Sequence, residues 1–564
     1  MTATSPQQKP VGNSPVKIGH PMRTDRFLYL VLTVVFIALL YNLNSWPILE
    51  GPEAKYAEIS REMLRSGDYL RPRLLWIDTY DHPPLTYWLT ALGMKLWGVN
   101  PFGARFFGQV ALVVQGGLVY HIALRLLGSR QVALFAGLIY PTLPLVLLGS
   151  RQVSPALFLT VFELGAVYSL LVYHLEKRRW ALYSLALCLG LGFLTDGFQI
   201  FVLPTSFVVY LLIFGQGNRQ IHFNHAALAG GIFCLLGGFW VAYLAAQHDN
   251  FLSYFWQTYW YQPIAQPALL STRWWQFPLA LMAGSLPWIG ILVTSVLRRN
   301  FGLWDNPIIV QVALFWLLLP SVALALGARP IFSLMSVFAG FAIVLGYLSH
   351  LFSGIEMRRY GILFLQLYLI AGLLALGVPL SSQLLGERLH LSWPMAITAL
   401  GMIGLNVLLF TLIKAGVRFR LVTMALVSSL LLTVYSGYLM MANPFWVETT
   451  QPLAQVIKTR QLQDLPILVY NETLPSLAFN LDRDLITING GDINPDVQFQ
   501  TRNAWRDHWV QLGELDSARY LRRKISSPSV LIVSGGLPLQ LSWIETNYTR
   551  SEQVGRWTMF YRPR

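Results

Sequence analysis

The chain has 564 residues, of which 54% are hydrophobic and 12% charged, and its formal net charge is +14. A soluble domain carries about twice that charged fraction, so a chain folded wholly in water is excluded. The excess of Lys and Arg reads as short loops that fix orientation against a membrane and attract anionic lipid; no nucleic-acid partner is expected. Cys188 and Cys234 lie within apolar runs and read as core packing.

In chain order, residues 1–26 read as a disordered cytoplasmic N-terminus. Residues 27–441 read as a transmembrane domain. Apolar segments, long enough for a hydrocarbon core of about 30 Å, recur near 27–46, 83–98, 101–127, 131–150, 155–174, 180–195, 198–215, 225–246, 277–298, 307–327, 331–351, 359–379, 393–416 and 419–441. Lys17, Arg23 and Arg26 place the N-terminus in the cytoplasm. The basic clusters at 177–179, 298–299 and 358–359, and Arg418 with Arg420, mark later cytoplasmic loops. Counting crossings from the N-terminus and from these clusters agrees only if 131–150 is not one ordinary helix. Pro141 and Pro144 sit at its centre and each removes a backbone donor. A broken, short or re-entrant pair is expected there, leaving about thirteen full crossings. Residues 442–564 hold no spanning run and read as a soluble domain on the outer side.

The longest polar block of the apolar region is residues 51–88, GPEAKYAEISREMLRSGDYLRPRLLWIDTYDHPPLTYW, most of which forms the first outer loop, 47–82. Gly51-Pro52 is a helix start with Pro at the first helical position, and Glu53 sits where the helix dipole favours an anion. Tyr56, Ile59, Ser60, Met63 and Leu64 fall on one helical face; Lys55, Glu58, Arg61, Glu62 and Arg65 fill the other. The pattern predicts an amphipathic helix along the membrane surface, ended by Gly67; the plain alternative is a face of merely solvated charges, against which the acids at the two ends of the block argue. The chain re-enters the membrane at Asp81-His82-Pro83-Pro84. Glu53 and Asp81 stand at the two ends of this block. An acid pair at the membrane–water boundary suits general-base chemistry or a divalent metal.

The order of residues carries a further signal. Glu53-Ala-Lys-Tyr-Ala-Glu-Ile-Ser-Arg-Glu-Met, then Ser66-Gly67-Asp68, Pro72 and Pro83-Pro84-Leu85-Thr86-Tyr87-Trp88-Leu89, resembles the GT-C membrane glycosyltransferases. The likeness is to the branch holding the lipid A aminoarabinose transferase and the protein O-mannosyltransferases. Echoes continue at Gly103-Ala104-Arg105, Val153-Ser154-Pro155, Leu194-Thr195-Asp196-Gly197 and 284–288. The resemblance implies a polytopic α-helical fold of about thirteen crossings with a small C-terminal α/β domain outside the cytoplasm. It implies transfer of a sugar from a polyprenyl phosphate. A carboxylate of the first outer loop activates or orients the acceptor, and cations hold the leaving phosphate.

This chain departs from the pattern where that chemistry belongs. Pro52-Glu53 stands for the usual Asp-Glu, His82 for a Lys, Ala156 for an Asp, and Asp196 for a Lys. The loop 248–276 offers aromatics and one cation, Arg273, in place of a His and Arg pattern. The expected site is therefore rewired. Glu53 (or Glu50) and Asp81 are the catalytic acids. Lys55, Tyr56, Arg73, His82, Arg273 and Arg329 bind the donor and its phosphate. Glu53, Asp81 and Asp196 are candidate ligands for a divalent metal. Glu163 is an acid within an apolar run, functional or hydrogen-bonded structural.

In the outer domain, 451–460 reads as a helix, and 466–470 and 529–533 as strands, the latter followed by Gly535-Gly536. The expected protein is a multi-pass glycosyltransferase of the bacterial inner membrane, its C-terminal domain periplasmic or extracellular. Its partners are a polyprenyl-phosphate-linked sugar, a lipid or protein acceptor and membrane lipids. The alternatives are a catalytically silent relative that binds or assembles, and a transporter, against which the absence of an internal repeat argues.

Overall fold

The computed structural model describes residues 23–215, 223–265, 275–297, 306–327, 330–384, 389–412, 416–491, 493, 499–500, 503–512, 515–538 and 541–563. Among these residues ten helices are long and apolar enough to cross a membrane, or up to twelve if each of two bent pairs is one span. Side chains fix the two ends of the bundle. At one end Arg130 reaches Asp25 (2.9 Å), Arg125 reaches Glu176 (3.2 Å), and Phe419 packs on Phe27 and Phe135. This end carries the basic residues at 177–179 and Arg418, the pattern of a cytoplasmic face. At the other end Arg105 meets Trp46 and Glu53, and Trp46 bonds to Thr433.

These contacts correct the expected path of the chain. The apolar run 83–98 does not cross. As the helix Leu85–Trp97 it has 13 residues, about 20 Å at roughly 1.5 Å per residue, short of a hydrocarbon core. It begins after His82 and leads through Val99, which lines an outer cavity with Arg61 and Asp482. The next helix, Pro101–Leu127, starts at that same end, where Arg105 lies on Glu53. The run 131–150 joins the two ends instead. It starts at Arg130 beside Asp25 and finishes just before Val153, whose N–H donates to Glu53 (3.0 Å). A bend of 58° separates Arg130–Thr142 from Pro144–Ser150, so the break falls where the prolines put it. The segment that fails to cross is the short helix before it.

Two further turns matter. The run 277–298, expected as one helix, is bent by 102° between Gln276–Gly284 and Ile289–Leu297. Pro287 lies in that break and supplies no backbone donor. Trp288 turns into the core, donating to Thr142 (2.9 Å). The stretch Trp180–Phe214, one of those ten by length and composition, in fact reverses at Gly197 (φ 59°) and the short helix Gly197–Phe201, which lays Ile200 against Gly192. Gly215 consequently ends beside His174, where an added Cβ would come within 2.8 Å of the ring.

The outer layer begins with the surface helix Pro52–Ser66. Gly67 (φ 71°) ends it with its N–H on the Met63 carbonyl, the left-handed C-cap that glycine adopts without strain. A hairpin follows, β1 (Arg73–Leu74) against β2 (Ile77–Asp78). The C-terminal α/β domain is a six-stranded mixed sheet in the order β5-β4-β3-β6-β8-β7. Its strands are β3 (Ile467–Tyr470), β4 (Ile486–Asn489), β5 (Trp509–Gln511), β6 (Val530–Ser534), β7 (Arg550–Val554) and β8 (Trp557–Tyr561). β3 and β4 are buried throughout, as a sheet with helices on its faces requires.

This domain docks on the first outer loop, which corrects the picture of a solvated charged face. Arg61 is 1% exposed and bonds Glu58 (2.8 Å), Asp482 (3.0 Å) and Asp484 (3.4 Å). Arg65 also reaches Asp484 (2.9 Å). Gln500 bonds both backbone groups of Asp78 (3.2 Å each), and His508 stacks on Trp76 at 4.5 Å. Burial, with the Glu58 charge adding to it, holds Glu62 well above the usual carboxylate range.

Candidate active site

The first outer loop, the outer ends of Pro101–Leu127, Pro155–Glu176 and Trp180–Asp196, and the C-terminal domain meet on one face. They sort the expected site residues into three environments.

Glu53 is sequestered. Its carboxylate accepts from Arg105 Nε (2.8 Å) and Nη2 (2.9 Å), from the Leu49 N–H (3.2 Å) and from the Val153 N–H (3.0 Å). Arg105 spends its remaining donors on the Trp46 (2.6 Å) and Pro47 (2.9 Å) carbonyls. Both side chains are buried, at 0% and 4% exposure. This ion pair pins the surface helix to the bundle.

Asp81 lies in the open. Its carboxylate pairs with Lys55 at 3.3 Å, and both side chains are about half exposed, 49% and 46%. Next to it His82 Nδ1 lies 3.1 Å from Asp196 Oδ1. Tyr56 floors the two pairs, its ring 5.4 Å from His82 and 5.7 Å from Tyr87. Burial pushes the Tyr56 phenol well above its ordinary value, and the charges of Asp196 and Asp81 add to that, which puts both carboxylates in its neighbourhood.

The remaining expected residues have other partners. Arg73 is held by Asp68 (2.9 Å) and Asp78 (3.1 Å) within the hairpin. Arg273 and Arg329 lie outside the described residues. Glu50 accepts from the Ser476 N–H and hydroxyl of the C-terminal domain; burial raises its carboxyl to about 7 despite those bonds. Glu163 is buried against Ser336 and the Leu203 backbone. The three acids expected to hold a metal do not gather. Glu53 is turned to Arg105, Asp81 to Lys55 and Asp196 to His82. Among the described residues no group of three His, Cys, Asp or Glu side chains could hold a metal ion.

Sequence reasoning gave two arginines too little weight. Arg105 registered only as part of a motif. Its position in an apolar run, where a charge needs a partner, pointed to a buried acid such as Glu53. Arg151 is fully buried on the turn before Val153, with all three guanidinium nitrogens unpartnered among the described residues. Burial, with the neighbouring Arg105 charge, lowers it to about 9. Nothing in the local pattern marks it out.

With this geometry the likeness to known proteins has a place to act. Residues 81–243 match the dolichyl-phosphate-mannose-protein mannosyltransferase family. The chain is 26% identical over 400 residues to an undecaprenyl phosphate-alpha-4-amino-4-deoxy-L-arabinose arabinosyl transferase of Photorhabdus laumondii, covering 67% of this chain and 70% of that one. It is 30% identical over 332 residues to the protein of the same name from Erwinia tasmaniensis, covering 57% and 59%. The chain resembles the GT-C membrane glycosyltransferases. Its fold matches ArnT from Cupriavidus metallidurans with a TM-score of 0.74 at 17% identity, over 96% of this chain and 98% of that one. ArnT bound to undecaprenyl phosphate matches equally, at 0.74. The mannosyltransferase match starts at Asp81 and includes His82, Arg105, Val153 and Asp196, while Lys55 precedes it.

Proposed function

We propose that this chain is a multi-pass membrane glycosyltransferase that moves a sugar from a polyprenyl-phosphate donor to a lipid or protein acceptor. The work is done on the non-cytoplasmic face of the bacterial inner membrane, with the C-terminal domain outside the cytoplasm. The observation that carries the reading is the pairing of a half-exposed carboxylate, Asp81, with the Lys55 ammonium at the outer end of a GT-C-like bundle. Asp81 orients the acceptor and takes its proton where the attacking group is a hydroxyl. Lys55 and His82 face the phosphate, whose charge grows as the bond to the sugar breaks. Tyr56 forms the floor of the site. Glu53 and Arg73 act one step back: Glu53 holds the surface helix through Arg105, and Arg73 holds the hairpin.

The carboxylates expected to bind a divalent metal are each committed to a cation or a histidine. The test is transfer from a labelled polyprenyl-phosphate sugar by the purified chain in nanodiscs. Turnover that Asp81→Asn lowers by about 100-fold or more supports the reading. No transfer with any donor would leave a binding or assembly role.

A further inference from the structure

Positions 82 and 196 are two of the places where this chain departs from the family pattern, and they touch. Asp196 ends the helix Trp180–Asp196 and is buried. The backbone reverses next to it at Gly197, where an added Cβ would come within 2.7 Å of the Tyr259 ring. The carboxylate is therefore delivered on a rigid corner. His82 is 30% exposed, with the Tyr56 ring on one side and the Lys55–Asp81 pair next to it in the loop. Among the described residues Asp196 is its hydrogen-bond partner. An ionised carboxylate only accepts, so Nδ1 carries a proton in this contact. In a neutral ring this leaves Nε2, on the opposite edge, only an acceptor; in the imidazolium both nitrogens donate.

We propose that His82 and Asp196 form a dyad for the donor's phosphate, in which Asp196 positions the ring and His82, as the imidazolium, donates Nε2–H to the phosphate oxygen that leaves. This rests on the glycosyltransferase reading. In the step, the bond between the anomeric carbon and the phosphate oxygen breaks, and its electron pair stays on that oxygen. The acceptor oxygen bonds to the anomeric carbon, and a hydroxyl acceptor gives its proton to Asp81. The phosphate goes from one negative charge to two. The imidazolium keeps its proton and strengthens its hydrogen bond to the oxygen that gains charge. A carboxylate behind the ring fixes its orientation and balances its charge. Here it lets a titratable ring stand where a fixed ammonium would need no support.

The test is a double-mutant cycle in nanodiscs, read by donor turnover and, separately, by binding of undecaprenyl phosphate against undecaprenol. His82→Ala is expected to lower kcat about 100-fold, and Asp196→Asn about tenfold. His82→Lys keeps at least about a tenth of the turnover, and adding Asp196→Asn to it changes turnover less than about twofold, because an ammonium needs no orienting acid. A loss of about tenfold from Asp196→Asn in both backgrounds would make Asp196 merely structural and overturn the dyad. Binding separates the two claims. Weaker undecaprenyl phosphate binding by about tenfold in His82→Ala, with undecaprenol unaffected, supports the dyad even in a chain without turnover. Unchanged phosphate binding in that variant overturns it.

Discussion

The sharpest consequence of the geometry is that the two acids of the first outer loop fail in different ways. Glu53 accepts four hydrogen bonds, two of them from the fully buried Arg105. Glu53→Gln keeps the shape, removes the charge, and turns an NH2 toward groups that can only donate. Breaking one side of a buried ion pair costs roughly 3–5 kcal/mol, so the variant should unfold at a clearly lower temperature in detergent. The fraction that remains folded should turn over within about tenfold of the native chain, since Glu53 acts through position rather than contact. Asp81 is the opposite case. Its pair with Lys55 is half exposed, and such pairs contribute about 0–1 kcal/mol. Asp81→Asn should leave the unfolding temperature almost unchanged while lowering kcat by about 100-fold or more. Thermal unfolding and labelled-sugar transfer on the same preparations separate the two. A Glu53→Gln protein as stable as the native one but inactive would refute the assignment and make Glu53 the catalytic acid.

Other expectations follow from the same structure. Glu50 has a folded value raised from 4.5 to about 7 by burial, so the native state holds an extra proton between those values. Its contribution to docking is full below pH 4.5 and is lost as pH rises toward 7; thermal unfolding should show this slope, and Glu50→Gln should flatten it. Arg61→Ala strands Glu58 and the Asp482/Asp484 pair, which should cost about 3–5 kcal/mol and open the C-terminal domain to limited proteolysis; a fully protected domain would refute the docking role. Arg151→Met removes a buried charge without a partner among the described residues and should leave stability unchanged or raise it by about 1–3 kcal/mol; a loss above about 2 kcal/mol would mean the cation supports the fold. Chelation with EDTA should change turnover less than about twofold, because Glu53, Asp81 and Asp196 are each committed elsewhere; a large loss restored by Mg²⁺ would refute that.

Hydropathy and proline positions carried most of the fold. The bend at Pro141–Pro144, the Gly51-Pro52 start and the Gly67 stop of the surface helix, and the strands β3 and β6 all fall where local chemistry puts them. Composition alone does not decide whether a run of marginal length crosses. Leu85–Trp97 is apolar enough but too short, and only the contacts of Val99 and Arg105 show that both its ends lie on one face. Nor does a helical wheel tell a solvated polar face from an interface. Arg61, paired with Glu58, meets Asp482 and Asp484 across more than 400 residues of chain. The same holds within the site: Asp81, His82 and Asp196 were legible as residues, but their pairing was not, because the partners come from distant segments. Arg105, the partner that decides the role of Glu53, needed the fold.

The central claim is that Asp81, at the outer mouth beside Lys55 and His82, drives sugar transfer from a polyprenyl phosphate. The direct measurement is single-turnover transfer of labelled sugar from a polyprenyl-phosphate donor by the purified chain in nanodiscs, native and Asp81→Asn side by side. The account predicts transfer by the native chain and a loss of about 100-fold or more in the variant at unchanged thermal stability. Equal transfer by the two proteins would contradict it.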